Sequence, residues 1–275
     1  MDLPLAPIAF AANTIASGIA AYTDWKTGYI FDWITYPLIG LGIILSILNG
    51  QWIGIALGIG IYAIGYFAYK QGKLGGGDIK LLAGMAVVQP IYQGQLFVLS
   101  VLLVACIVAC VGLCIQYVGS YLLSKPKINW KEPRKRLGFG MVIALIVFLA
   151  YSFDQGIFSP IQAIVLLLAV GMGILFYMLE DEIKVHAFLK RIPLEQVEDD
   201  ELLAAEHLSH EEKQKLGKDI PALIDRGDIA RFRHAGMHTI PVYRDLPKFA
   251  PFLFAGVLVV YVFPGVLSAF IPVIA

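Results

Sequence analysis

Charge is scarce in this sequence. Only 15% of its 275 residues are Asp, Glu, Lys or Arg, and 58% are hydrophobic, where ordinary soluble domains carry about a quarter charged residues. A soluble domain has nowhere to hide that much apolar surface, so the excess is expected to face lipid. A surplus of one sign is lacking too. The 21 basic and 21 acidic residues cancel, which removes the usual electrostatic reason to expect nucleic acid as a partner. No CxxC pair occurs, so neither a zinc ribbon nor a thioredoxin-like site is expected. The three cysteines, Cys106, Cys110 and Cys114, recur every four residues inside an apolar run. That spacing puts them on one helical face as small packing hydrophobes. A GxSG serine site is absent, and His210-Glu211-Glu212-Lys213-Gln214 lacks the second histidine of a zinc-protease helix. His234 and His238 have ligand spacing without a third ligand, so no metal and no cofactor are expected. A basic start is also missing. Asp2 stands where a secretory signal carries Lys or Arg, and the run 3–22 is long enough to cross a bilayer. It is read as a retained first transmembrane helix.

Long apolar runs are what the sequence has instead. They follow at 33–49, 52–69, 79–92, 95–123, 138–153, 157–179 and 249–273, giving about eight transmembrane helices with the first. The run 79–92 is short for a crossing, so it is either half-inserted or shielded by its neighbours. With the N-terminus outside, the inward loops are 24–32, 70–78, 124–137 and 180–248. All 21 Lys and Arg then fall at or near that one side, while the outward turns hold only Asp2 and Asp154. The positive-inside rule predicts this asymmetry, and a wrong span count would scramble it.

Segment 180–248 differs in composition, with 15 acidic residues, 11 basic ones and all five histidines. Glu198 to Lys215 reads as an amphipathic helix with Leu202, Leu203 and Leu208 among its apolar positions. Ile229 to Tyr243 reads as strand-like. The expected fold is therefore an all-α polytopic membrane protein with a small cytoplasmic α+β domain inserted before the last helix. Its expected divisions are an N-terminal membrane region 1–123, a basic loop and further membrane helices 124–179, the cytoplasmic domain 180–248 and a C-terminal transmembrane helix 249–275.

Two acids stand where acids are costly. Asp24 follows the first run and Asp78 precedes the run 79–92, so both belong to the cytoplasmic membrane edge, where acids usually mark function. Taken alone, Asp78 is also a favourable first-turn acid complementing a helix dipole. Its setting, Gly75-Gly76-Gly77-Asp78, adds more. Three glycines admit backbone conformations closed to other residues and let an extended peptide approach a carboxylate closely. Two carboxylates about 4 Å apart repel by ~4 kcal/mol at an effective dielectric near 20, on the order of 3 pK units between the two proton losses. Such a pair shares one proton. The ionised member can activate water while the protonated one polarises a carbonyl, with no metal or nucleophilic side chain. Which acid keeps the proton is left open by the residues.

Gly75-Gly76-Gly77-Asp78 resembles the GxGD motif of membrane aspartic proteases. Asp24-Trp-Lys-Thr-Gly-Tyr-Ile-Phe-Asp32 resembles the first aspartate motif of the type IV prepilin peptidase family in its archaeal, preflagellin-processing form. The likeness covers roughly residues 5–123; beyond them it is one of general layout. It implies an aspartic endopeptidase with Asp24 and Asp78 catalytic, Gly75, Gly76 and Gly77 as backbone support, and Asp32 as an accessory acid. The implied partners are the signal peptides of prepilins or prearchaellins and the lipid bilayer, with cleavage at the cytoplasmic membrane face. The cysteine-bearing loop of bacterial, N-methylating relatives is missing, so proteolysis without methyl transfer is expected. Glu195, Glu198, Asp199, Asp200 and Glu201 form an acidic cluster that either steers the basic part of such a signal peptide or is a solvated helix start. Two other readings stay open. One is a presenilin-like protease, for which Pro221-Ala222-Leu223 offers a PAL motif in an unexpected, charged place. The other is a proton- or cation-coupled transporter using the same acids, which would set them nearer the bilayer midplane.

Overall fold

The computed structural model describes residues 5–50, 52–72, 74–126, 128–217 and 220–265. The expectations that touch Asp2, Lys73, Lys127 and residues 266–273 of the last apolar run lie outside them. Two compact units emerge, one comprising residues 1–63, 77–180 and 248–275, the other residues 64–76 and 181–247.

The first unit is helical. It contains α1 (Leu5–Thr27), α2 (Asp32–Asn49), the first part of α3 (Ile53–Lys70) and α4 (Gly76–Val88), which crosses from one unit to the other at its first residue. A two-residue hairpin, β1 (Ile91–Tyr92) and β2 (Gln95–Leu96), turns the chain into α5 (Phe97–Leu113). A π turn at Cys114–Val118 carries α5 into α6 (Gly119–Leu123). α7 (Pro133–Asp154) and α8 (Pro160–Met178) follow. Among the described residues, five helices are long and apolar enough to cross a membrane: Asp32–Asn49, Ile53–Lys70, Phe97–Leu123, Pro133–Asp154 and Pro160–Met178. All eight expected runs coincide at least in part with helices, yet α4 and the helix in the last run, Ala250–Val262, are only 13 residues long. At 1.5 Å per residue such a helix covers about 20 Å, less than a hydrocarbon core.

α4 can be short because protein surrounds it. Ile79 and every residue from Leu81 to Val88 are buried, the pattern of a helix that is apolar on all sides. Its neighbours approach closely through glycine. A Cβ on Gly42 of α2 would lie 2.7 Å from the Val88 nitrogen, and one on Gly54 of α3 would lie 2.8 Å from the Val87 carbonyl oxygen. Ser46 of α2 also donates to that carbonyl at 3.3 Å. Of the two alternatives for the run 79–92, shielding by neighbours describes it. The cysteines divide: Cys114 is buried, whereas Cys106 and Cys110 are exposed and line an apolar groove with Ala169, Gly173 and Tyr177 of α8.

The second unit follows the one-turn helix α9 (Glu180–Ile183), whose first residue still belongs to the first unit. Its strands β3 (Leu189–Pro193), β4 (Glu201–Leu203), β5 (Leu223–Ile224) and β6 (Thr239–Tyr243) form an antiparallel sheet in the order β3-β6-β4-β5. α10 (His210–Leu216) and α11 (Arg226–His234) join it around a core of Leu194, Leu203, Ile224, Phe232, Ile240 and Val242. Two expectations are corrected here. Glu198 to Lys215 is not one helix: β4 and a 3-10 turn at Ala205–His207 occupy its first half. A helix starts only at His210, where Ser209 accepts from the Glu212 amide and Glu212 from the Ser209 amide, a reciprocal cap that defines a start. Ile229 to His234 is helical, within α11, and only Thr239–Tyr243 of that stretch is strand. α12 (Ala250–Val262) returns to the first unit and packs on α1 and α5.

Candidate active site

Asp24 sits in the last turn of α1. Gly28, at φ 76°, ends the helix there, its amide donating to the Asp24 carbonyl at 2.8 Å. The Asp24 side chain is 7% exposed, and its Oδ2 accepts the Ala250 amide at 3.1 Å. Ala250 is the first residue of α12, so a carboxylate from α1 meets the free amides of another helix's N-terminus. Lys248 Nζ donates to the Trp25 carbonyl beside it.

Asp78 is in the first turn of α4. Its Oδ1 is buried and has no hydrogen-bond partner. Just past the apolar runs, both carboxyls are held above the ordinary carboxylate range. For Asp78 the main cause is burial, with the Asp24 charge adding to it, and the result is a value pushed up to about 7. For Asp24 burial again dominates, opposed by the Ala250 amide, the Lys248 charge and the Phe249 amide. Of the two expected acids, Asp24 thus lies within range to act electrostatically on Asp78.

The glycine run works differently from its expectation. None of Gly75, Gly76 and Gly77 takes a positive φ. Gly77 is needed for a close approach instead: a Cβ there would lie 2.7 Å from Ile30 Cβ and 3.1 Å from the Ile30 carbonyl oxygen. Ile30 lies in the loop between α1 and α2, so the stretch after Asp24 is seated directly against the turn before Asp78. Gly76 faces the Tyr69 ring at ordinary distance, 3.6 Å. Asp32, at the start of α2, forms an ion pair with Lys80 of α4 and is half-exposed. It latches α2 to the helix that carries Asp78.

The five acids of the second unit are not a bare negative surface. Asp199 pairs with Arg226 at 2.8 Å, and Glu201 pairs with Arg244. Arg244 also feels the charge of Glu198. Glu195 and Asp200 are exposed, the latter in a turn with φ 66°. Pro221-Ala222-Leu223 leads into the two-residue strand β5 and opens no helix. His234 ends α11, and His238 lies beyond it. Among the described residues no group of three or more His, Cys, Asp or Glu is placed to hold a metal ion.

Sequence reasoning missed the α12 contacts. Pro251, in the first turn of a helix beginning at Ala250, was the available signal, because Pro marks helix starts. It also missed a buried polar cluster in which Tyr261 donates to Gln89 at 2.6 Å and Asn13 Nδ2 reaches both at 3.4 Å. Asn13 inside an apolar run was the signal there.

Comparison with known proteins finds one family likeness over part of the chain. Residues 11–114 match the model of the type IV leader peptidase family. The prepilin peptidase EppA of Methanothermobacter thermautotrophicus is 28% identical over 181 residues, covering 55% of this chain and 47% of that protein. The chain thus spans about half the length of that relative. No solved structure matches. The matched stretch holds Asp24, Asp32 and the Gly75–Asp78 run, so by sequence the part of the chain that carries both acids resembles the type IV leader peptidase family.

Proposed function

We propose that this chain is a membrane aspartic endopeptidase that removes the signal peptides of prepilin-like proteins, archaeal prepilins and prearchaellins among them, at the cytoplasmic membrane face. The observation that carries the reading is that the Asp24 charge reaches Asp78, with Asp24 Oδ2 held by a backbone amide and Asp78 Oδ1 buried without a hydrogen-bond partner. The family match over 11–114 supports the choice of substrate class.

The chemistry requires only the dyad and water. The ionised carboxylate takes a proton from water as the water oxygen bonds to the scissile carbonyl carbon. The protonated carboxyl gives its proton to the carbonyl oxygen. The tetrahedral intermediate then collapses: one of its hydroxyls returns a proton to the carboxylate that supplied it, the C–N bond breaks, and the proton taken from water passes to the leaving nitrogen, which restores the dyad. Asp32 and Lys80 fix α2 against α4, and Gly77 lets the loop at Ile30 pack against the turn before Asp78. The one-sided distribution of Lys and Arg supports an outside N-terminus and a cytoplasmic position for residues 180–248. The division of the chain at 123, 179 and 248 is part of the same proposal.

The test is cleavage of a co-expressed archaeal prepilin in membranes by wild type, Asp24→Asn and Asp78→Asn. Each substitution keeps size and removes the charge. Both variants are expected to insert normally and to lose at least about a hundredfold in rate, the scale of one acid–base group. Near-full activity in either variant would make that acid structural and refute the dyad.

A further inference from the structure

The two carboxyls of the dyad have different surroundings, and the difference comes from α12. Asp24 Oδ2 accepts a buried hydrogen bond from the Ala250 amide at 3.1 Å, and the N-terminus of a 13-residue helix stands behind that amide. Helix N-termini carry roughly half a positive charge and favour anions, and amide donors to a carboxylate stabilise its ionised form. Lys248, two residues earlier, donates to the carbonyl of Trp25, which fixes its charge beside Asp24. Asp78 also stands in the first turn of a helix, but no donor meets its Oδ1, which is buried without a hydrogen-bond partner. A lone carboxyl in that position is less costly neutral than charged.

We propose that the start of α12 keeps Asp24 ionised, so that Asp24 is the base that takes the proton from water and Asp78 is the acid that supplies one to the scissile carbonyl, with Lys248 as the positioning residue. The assignment rests on the two-aspartate reading above. It gives the last helix a part in the chemistry, although it lies more than 200 residues from Asp24 in sequence and outside the matched stretch 11–114. The charged groups around Asp24 are Lys248 from the segment entering α12, Asp78 from α4 and Lys26 on its own helix; Asp32 and Lys80 neutralise each other between α2 and α4. Lys248 is the cation whose charge acts on Asp24. It holds down the raised value that burial gives Asp24, and removing it lets Asp24 take up a proton at higher pH.

Two measurements on the full-length protein in nanodiscs test the assignment. The first is the pH dependence of prepilin cleavage for wild type, Lys248→Met and Lys248→Arg. Lys248→Met is expected to move the acid limb of the profile up by roughly 0.5–1 pH unit, leaving the alkaline limb in place, and Lys248→Arg to restore it. A loss of rate that is equal at every pH, with both limbs unmoved, would mean that Lys248 only supports the fold, and would overturn the proposal. The second measurement does not depend on activity: the infrared carbonyl band of a protonated carboxyl that titrates nearest neutral pH. It is expected to vanish in Asp78→Asn and to persist in Asp24→Asn. A band that vanishes in Asp24→Asn instead, or survives in both, reverses or removes the assignment. If Asp24→Asn and Asp78→Asn cleave normally, the dyad itself fails; if both are inert but Lys248→Met shifts nothing, only the role of α12 fails.

Discussion

Asp78 and Asp24 are expected to set the pH dependence of this molecule, Asp78 on the alkaline side. The folded value of Asp78, pushed up to about 7 from an ordinary 3.8, means that the folded protein binds a proton the unfolded chain releases. Stability contributed by that proton is present at low pH and falls as pH rises through the interval between those values, because the unfolded state then binds fewer protons. Wild type is therefore expected to lose melting temperature between about pH 4 and 7 relative to Asp78→Asn, which has nothing to ionise there. Thermal unfolding of both proteins across that range checks it; parallel curves would contradict it. Cleavage is expected to fall on the alkaline side near pH 7 as Asp78 loses its proton, and on the acid side as Asp24 gains one. Both acids were legible in the sequence, since an acid at the edge of an apolar run is conspicuous. Their unequal surroundings were not, because Ala250 and Lys248 reach Asp24 through tertiary packing across more than 200 residues.

At the scale of elements, α4 is the part everything else is fitted around. It is too short to span a bilayer by itself and is buried along nearly its whole length. Small residues at helix contacts let backbones approach where no hydrophobic force separates protein from lipid. Gly42 and Gly54 do so here, each with α4 backbone inside 3 Å of where a Cβ would stand. Gly42→Ala is expected to destabilise by about 1–3 kcal/mol, the range for overpacking a filled contact. It should lower cleavage as well, since α4 carries Asp78. Chemical or thermal unfolding in detergent, paired with the prepilin assay, measures both; a neutral Gly42→Ala would show that α2 yields freely. The apolar runs located these helices because each is a long, nearly unbroken stretch of apolar residues. Glu198 to Lys215 misled, since Leu202, Leu203 and Leu208 fit a helical stripe as well as a strand followed by a turn. The Ser209-x-x-Glu212 cap marked the true start at His210.

For the molecule as a whole, the sequence divides chemistry from surface charge. The first unit holds the dyad and most of the segment matched to the leader peptidase family, and the second holds most of the ionisable residues around its own small sheet. If the acids of the second unit steer a basic signal peptide, Glu195→Gln with Asp200→Asn should lower kcat/KM at low salt and leave it unchanged at high salt, where screening removes the attraction. These two are the informative pair, because Asp199 and Glu201 are committed to Arg226 and Arg244. No rate change at low salt would leave the acids as a solvated rim. The central claim, that Asp24 and Asp78 act as one unit, is tested most directly by a double-mutant cycle on single-turnover cleavage of a prepilin. Groups that share one proton fail together, so the double variant Asp24→Asn, Asp78→Asn is predicted to be no slower than the slower single variant. A double variant slower by the product of the two single losses would show two independent contributions and contradict the dyad.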